Sequence, residues 1–131
     1  QRISYGELVE RAKGLSAGLS ELGLKPLDRV VFQIHNSAAF VISFLALLRI
    51  GVIPVMALPP HRHNEIRHFL KFSGAVGYFV PDQVRGFDYR ALAAEMQVEI
   101  PTLKHIVVAG EAGVGQVALS SLMNDPATAT A

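Results

Sequence analysis

The sequence contains no cysteine among its 131 residues. The chain therefore cannot form a disulfide scaffold, a thiol nucleophile or a zinc site built on thiolates. It also lacks an excess of charge of one sign, since 12 basic residues stand against 11 acidic ones, for a net charge of +1. This balance, without a basic stripe, argues against nucleic acid or an anionic membrane surface as a partner.

A long uninterrupted apolar run is missing as well. The stretch 38–58 approaches the length of a membrane-spanning helix, but Ser43, Arg49, Gly51 and Pro54 interrupt it. Gly51 and Pro54 are more typical of the passage from a buried helix to a buried strand. The start of the chain has no signal-peptide pattern, so we expect a cytoplasmic protein, or a piece of one, with no membrane partner.

What the sequence does have is a core-rich composition, with 50% hydrophobic and 18% charged residues. This length and composition predict a single α/β unit rather than a disordered chain. Its predicted parts are a leading helix over 1–24, an α/β core over 27–112 and a disordered tail over 124–131.

The leading helix has clear start and stop signals. Residues 4–7, Ser-Tyr-Gly-Glu, have the form of a capping box, and apolar residues recur every three or four positions over 8–22. Gly23 then suits the left-handed position that ends a helix. Two glycines inside the helix, Gly14 and Gly18, indicate either a weakened helix or close packing against a neighbouring element.

Strands and helices alternate along the rest of the chain. Short apolar runs bounded by turn residues predict strands near 30–35, 53–58, 76–80 and 105–109. Pro54 moves the second of these toward a sheet edge or a bulge. Such alternation predicts an α/β fold, with a mainly parallel sheet and helices on both faces.

The segments between the strands carry helix signals. The segment 37–50, with Asn36 as its cap, is apolar nearly all round, so we expect it to be the most buried helix. Its Phe40, Phe44 and Leu47 are predicted to lie against the sheet. After a loop over 59–64, three shorter elements are predicted: a helix that begins near Ile66 and ends at Gly74, a helix capped by Asp88 and closed by Pro101, and a short helix or turn over 117–123.

The ends of the predicted strands carry the candidate site residues. Ligands of open parallel sheets bind outside the carboxyl ends of the strands. The polar, partly titratable side chains there are those of His35, His61, Asp82 and Glu111. Their spacing supports neither a nucleophile–base pair nor a carboxylate pair, so no catalytic residue is assigned.

Two further patterns each allow a functional interpretation and a purely structural one. His61, Arg62, His63 and His68 form a cluster with histidines that could bind zinc, but no carboxylate or thiol completes the set. A solvated helix start, capped at residue 63 or 64, is the alternative, and we predict no metal site. The glycine-rich segment 110–115 follows a strand, yet it lacks the Lys-Ser/Thr of a phosphate loop and the glycine order of a dinucleotide fingerprint, which favours a surface turn.

Several spaced segments carry the motifs of one known family. Residues 3–8, Ile-Ser-Tyr-Gly-Glu-Leu, and residues 46–55, Ala-Leu-Leu-Arg-Ile-Gly-Val-Ile-Pro-Val, resemble the T-Y-x-E-L and L-x-x-G-x-x-x-V-P segments in the N-terminal part of the adenylate-forming superfamily. Residues 27–30 are similar to its G-D-R-V segment, with Leu27 in place of glycine. Three more segments resemble the 2,3-dihydroxybenzoate–AMP ligases and their salicylate relatives, namely 58–66, 86–90 and 101–110.

This resemblance, which covers about residues 2–112, implies part of the large N-terminal domain of an aryl-acid ligase of siderophore biosynthesis. Such a ligase uses ATP and Mg²⁺ to form an aryl-adenylate, then passes the aryl group to the phosphopantetheine thiol of an aryl-carrier protein. The family's phosphate loop, acid pocket and catalytic lysine have no counterpart in this chain, so we expect the chain alone to be inactive and to bind no ATP. The residues by themselves leave open a stand-alone flavodoxin-like small-molecule-binding module or an interaction module.

Overall fold

A computed structural model of the chain describes residues 4–34, 38–57, 63–84, 86–113 and 115–122. Its helices are α1 (Tyr5–Leu22), α2 (Ala38–Arg49), α3 (His63–Ser73) and α4 (Tyr89–Glu99). Its strands are β1 (Arg29–Phe32), β2 (Ile53–Met56), β3 (Gly77–Pro81), β4 (Gln83–Val84), β5 (Phe87–Asp88), β6 (His105–Ala109) and β7 (Val117–Ala118). A 3-10 helix over Leu119–Leu122 follows. The candidates His35 and His61, Arg62, the Asn36 cap and the tail 124–131 lie outside the described residues.

The main sheet has, within the described residues, five strands in the order β2-β1-β3-β6-β7, and all neighbours pair in parallel. Alternate residues of each strand enter different cores. Val30 and Phe32 of β1 pack on the side of α1 and α2, whereas Val31 packs on the side of α3 and α4. The predicted α/β fold, a mainly parallel sheet with helices on both faces, is thus confirmed.

The local signals at the helix ends act as predicted. The Ser4 hydroxyl accepts a hydrogen bond from the backbone N–H of Glu7 at 3.1 Å, and α1 ends at Gly23, whose φ is 118°. The Asp88 carboxylate accepts from the backbone N–H of Arg90 at 2.9 Å and caps α4. Gly51 and Gly74 follow α2 and α3 with φ values of 78° and 68°, the left-handed region that glycine adopts without strain.

Strand β2 corrects one expectation and confirms another. The buried strand predicted near 53–58 spans only Ile53–Met56, and Ile53 and Met56 are 40% and 49% exposed. The cause is its place at the end of the sheet, where one side of the strand has no neighbour among the described residues. Pro54 lacks a backbone N–H and is best tolerated at an edge, so the edge position that it predicted is confirmed.

Helix α2 is buried on one side only. Its inner side, with Ile42, Ala46 and Leu47, is fully buried, and Phe40 and Phe44 pack beside it with ring centroids 5.5 and 6.5 Å from that of Phe32. The predicted contact with the sheet is therefore confirmed. The outer side is less buried, since it includes Leu48, which is 51% exposed.

Short elements and boundaries account for the other differences. The antiparallel pair β4–β5 lies between the strand predicted near 76–80 and the helix capped by Asp88, where no strand was predicted. Strand β7 lies where a helix or turn was expected, although the 3-10 helix after it fits that expectation. Helix α3 begins at His63, inside the predicted loop 59–64. Strands β1 and β3 are each displaced by one residue at their starts from the predicted positions.

Leu27 adopts a backbone conformation that glycine would adopt without strain. Its φ is 74°, the one positive value at a non-glycine residue within the described part of the chain, and its side chain is 79% exposed. It lies in the turn before β1, where its backbone N–H donates to the Gly51 carbonyl at 2.8 Å. This is the position at which the resembled G-D-R-V segment has glycine, so the departure seen in the sequence carries a steric cost.

We expect Leu27→Gly to raise the free energy of unfolding by about 1 kcal/mol. The substitution removes a left-handed penalty of about 1–2 kcal/mol, and the greater freedom of glycine in the unfolded chain offsets part of this gain. Urea denaturation measures the change. Leu27→Ala is the matched control, because it removes the exposed side chain but keeps Cβ, and it should change stability by less than about 0.5 kcal/mol. An equal gain in both variants would contradict the strain at this position.

Candidate functional site

The described part of the sheet's carboxyl edge brings two of the four sequence candidates together. Asp82 follows β3 and Glu111 follows β6, and these two strands are neighbours in the sheet. The backbone N–H of Glu111 donates to Asp82 Oδ2 at 3.2 Å. The contact joins the backbone of Glu111 to the side chain of Asp82, so the Glu111 carboxylate is no part of this hydrogen bond.

The Asp82 carboxylate is held as an anion by the backbone. Its Oδ1 accepts from the N–H of Gln83 at 2.6 Å, and this bond, followed by the one from Glu111, lowers the pKa of Asp82 below its usual range. Gly110 approaches closely, since a Cβ there would lie 2.5 Å from Oδ2, and its φ of 140° also favours glycine. Asp82 therefore fixes the start of the loop that leaves β6.

Two residues that the sequence analysis did not single out, Arg90 and Gln116, hold the rest of this loop. The Arg90 guanidinium binds the Asp88 carboxylate, with Nε 3.0 Å from Oδ1, and donates from Nη1 to the Glu111 carbonyl at 3.1 Å. Gln116 donates to the Arg90 carbonyl at 2.9 Å and accepts from the N–H of Gly113 at 3.0 Å. We call Asp82, Arg90 and Gln116 the edge clamp.

The edge clamp suits positioning better than acid–base chemistry. A general base needs a pKa near the working pH, whereas hydrogen bonds keep the Asp82 pKa low and the bond to Asp88 raises the pKa of Arg90. The backbone N–H groups of Glu111 and Gly113 already have acceptors within the clamp. These two N–H groups are thus not free to hold a phosphate.

We expect Asp82→Asn to lower the free energy of unfolding by about 1 kcal/mol at pH 7, since it weakens two hydrogen bonds to an ionised acceptor. The pKa of Asp82 is lowered in the folded state, so the ionised group stabilises the fold fully above the unfolded-state pKa, near 4. This contribution is lost as the pH falls through the lower folded-state pKa. The difference from wild type should therefore shrink at acidic pH.

Urea denaturation at a series of pH values from 7 to about 3 measures this dependence. Glu10→Gln, on the exposed side of α1, is the control and should change stability by less than about 0.5 kcal/mol. A cost of Asp82→Asn that stays the same across the series would contradict the role of the ionised carboxylate.

Of the predicted histidine cluster, the structure describes the side chain of His68. His68 lies on the exposed side of α3 and stacks on Phe72, with ring centroids 5.6 Å apart. The two residues line an open groove of about 440 Å³ together with Asn64, Arg67 and Lys71. Both cations of this groove pair with Glu99, and Arg67 does so by a hydrogen bond that lowers the pKa of Glu99. Within the ranges that the structure describes, no three His, Asp or Glu residues come together as a metal site.

No sequence pattern indicates that Arg90 and Gln116 belong to one hydrogen-bond network. Arg90 lies 21 positions before Glu111 and 26 before Gln116, and the pairing of β3 with β6 contributes to bringing these segments together. Asp88 was predicted as a helix cap, and its contact with Arg90 adds a second role.

The described helices include none that is both long and apolar enough to span a bilayer.

The fold and this edge define an α/β sheet domain whose described carboxyl edge holds a hydrogen-bonded loop. The family model described as "AMP-binding enzyme" matches residues 1–128. The chain therefore belongs to the AMP-binding enzyme family.

Two relatives are similar to the chain over most of its length. The chain is 50% identical over 109 residues to the 2,3-dihydroxybenzoate-AMP ligase of Bacillus subtilis, a match that covers 83% of the chain and 20% of that protein. It is 47% identical over 111 residues to the salicyl-AMP ligase / salicyl-S-ArCP synthetase of Mycobacterium tuberculosis, covering 85% of the chain and 20% of that protein.

A solved relative supports the same family. The apo structure of Mycobacterium smegmatis MbtA matches 94% of the chain with a TM-score of 0.85 and 36% identity, and the match covers 22% of that protein. The chain thus spans about a fifth of the length of the relatives it matches.

Proposed function

We propose that this chain is part of the large N-terminal domain of an ATP-dependent aryl-acid adenylating ligase of siderophore biosynthesis. Its substrate is 2,3-dihydroxybenzoate or salicylate. The observation that carries the proposal is the 50% identity over 109 residues to a 2,3-dihydroxybenzoate-AMP ligase. Because the identity to a salicyl-AMP ligase is similar, both acids are proposed as candidate substrates.

The proposed reaction has two steps. The carboxylate of the aryl acid attacks the α-phosphorus of ATP, and the bond to the leaving pyrophosphate breaks, which yields the aryl-adenylate. The phosphopantetheine thiol of an aryl-carrier protein then attacks the carbonyl carbon and loses its proton, and AMP leaves. We propose that these steps occur in the cytoplasm, without nucleic acid or membrane as a partner.

The described residues supply a scaffold for this reaction rather than its reacting groups. Adenylation needs donors that cradle the phosphates and a cation to meet the developing charge. Both oxygens of Asp82 already accept backbone N–H groups, and the described residues include no cluster of three His, Asp or Glu side chains placed to hold a metal ion. We therefore propose that ATP and Mg²⁺ are bound by other segments of the longer protein, and that this chain alone is inactive.

The function can be tested by exchange of labelled pyrophosphate into ATP, catalysed by the natural protein that contains this chain. We expect exchange that depends on 2,3-dihydroxybenzoate or on salicylate. Benzoate is the matched control acid, because it lacks the 2-hydroxyl that both candidate acids carry. Exchange with neither acid, in a protein that unfolds cooperatively, would contradict the proposed substrate class. Exchange by the 131-residue chain itself would contradict its proposed role as a scaffold.

A further inference from the structure

The chain contains three methionines, and the structure describes two of them in opposite surroundings. Met56 is the last residue of the edge strand β2, and it is 49% exposed. Met96 lies in α4 and is fully buried in the core on the α3–α4 side of the sheet. Met123 lies outside the described residues. A reagent in solution therefore reaches the side chain of Met56 but not that of Met96.

The methionine thioether reacts with peroxides to give the sulfoxide. One oxygen atom of hydrogen peroxide bonds to the sulfur, the O–O bond breaks and water leaves, so the sulfur is oxidised and the peroxide is reduced. The thioether has no proton to lose first, so contact with the peroxide decides the rate. The chain has neither cysteine nor tryptophan, so no thiol or indole within it competes for the oxidant.

The surroundings of Met56 can accept the polar product. Met56 pairs with Phe32 in the parallel register of β2 with β1, so the two side chains lie on the same side of the sheet. Phe32 is fully buried there, whereas Met56 remains partly exposed, and water can hydrate a sulfoxide oxygen at Met56. The same oxygen at Met96 would be buried among apolar side chains, which costs free energy without a hydrogen-bond donor.

The bonds that hold β2 to the sheet are independent of the Met56 side chain. The backbone N–H of Ile53 donates to the Asp28 carbonyl at 2.8 Å, and that of Ala57 donates to the Phe32 carbonyl at 3.0 Å. These two hydrogen bonds enclose Met56 along the strand. Oxidation of its sulfur leaves all of these donors and acceptors unchanged, so the strand can stay paired.

We propose that Met56 is a site of reversible oxidation by peroxides, at which the sulfoxide forms without unfolding the domain. Methionine sulfoxide is returned to methionine by dedicated reductases, so the site can alternate between an apolar and a polar side chain. This inference does not depend on the proposed ligase function, because it concerns only the surroundings of the two methionines.

Peroxide treatment followed by peptide mass spectrometry tests the proposal. The 131-residue chain and the full-length ligase of which it is proposed to be a part are each treated with hydrogen peroxide, in buffer and in urea. We expect Met56 to be oxidised at least about tenfold faster than Met96 in buffer, because a buried side chain reacts only after local opening. In urea the two rates should be similar. Equal rates in buffer, in either protein, would overturn the proposal.

A second measurement tests whether the fold accepts the product. The chain oxidised at Met56 alone should keep a single cooperative urea transition, and methionine sulfoxide reductases should restore its original mass. Met56→Leu is the matched control, because it conserves the side-chain volume but has no sulfur, and oxidation of its Met96 should remain slow. Loss of the cooperative transition when Met56 alone is oxidised would also overturn the proposal.

Discussion

Replacing Phe32 with alanine is expected to lower the free energy of unfolding by about 3–5 kcal/mol, the range for a fully buried phenylalanine. Phe32 is fully buried at the centre of the core between the sheet and α2. Its ring lies 5.5 Å from that of Phe40, 6.5 Å from that of Phe44 and 6.0 Å from that of Phe79, measured between centroids. The substitution therefore removes the Phe32 ring from its contacts with three other rings, and it leaves a cavity beneath α2.

Two other phenylalanines provide graded controls for this result. Phe44 is half-buried, so Phe44→Ala should cost about 1–2 kcal/mol in the isolated chain. Phe72 is 84% exposed, and Phe72→Ala should change stability by less than about 0.5 kcal/mol. Urea denaturation of the three variants measures the series. A cost of Phe44→Ala as large as that of Phe32→Ala would contradict the partial burial of Phe44.

We expect Gly18→Ala to destabilise the chain by about 1–3 kcal/mol, although alanine favours a helix more than glycine does. A Cβ at Gly18 would lie 1.9 Å from the carbonyl oxygen of Leu122, and 2.7 Å from its carbonyl carbon. Because both atoms belong to the backbone, the 3-10 helix must move away from α1. That movement would also disturb Leu119, which is buried in the same core.

Gly6→Ala is the matched control in the same helix. A Cβ at Gly6 meets only the Ser4 hydroxyl, at 4.0 Å, and the residue is exposed. The helix preference of alanine should then stabilise the chain by up to about 1 kcal/mol. Opposite signs in the two variants, read from thermal unfolding, support the close packing, whereas a gain in both would contradict it.

The sequence predicted the elements whose signals are local. Asp88 caps a helix and Gly23, Gly51 and Gly74 end helices because each acts on the backbone within a few residues. Pro54 marked an edge strand for a similar reason, since a missing N–H is tolerated there. The resemblance to a known family pointed to Leu27 as a departure from glycine, and its φ of 74° gives that departure a physical meaning.

Elements that depend on contacts between residues far apart in the sequence could not be predicted from the sequence. Strands β4, β5 and β7 have two residues each, too few for an alternating pattern to be recognised. The apolar pattern of α2 predicted a highly buried helix, but the pattern did not indicate that Leu48 on its outer side is 51% exposed.

The position of the candidate site could be predicted from the sequence, but the hydrogen bonds within it could not. Asp82 and Glu111 were expected at one edge of the sheet because they follow parallel strands. Which atoms meet was not predictable, since the bond runs from the Glu111 backbone to the Asp82 carboxylate across 29 positions. His35 and His61 lie outside the described residues, so their place at this edge stays a prediction.

The most direct test of the proposed division between scaffold and reacting groups is calorimetric titration with ATP and Mg²⁺. It compares the 131-residue chain, once cooperative unfolding shows that it is folded, with the full-length ligase of which the chain is proposed to be a part. We predict no saturable heat for the chain alone and saturable binding for the full-length ligase. Saturable binding of ATP by the chain alone would contradict the account and favour a stand-alone nucleotide-binding module.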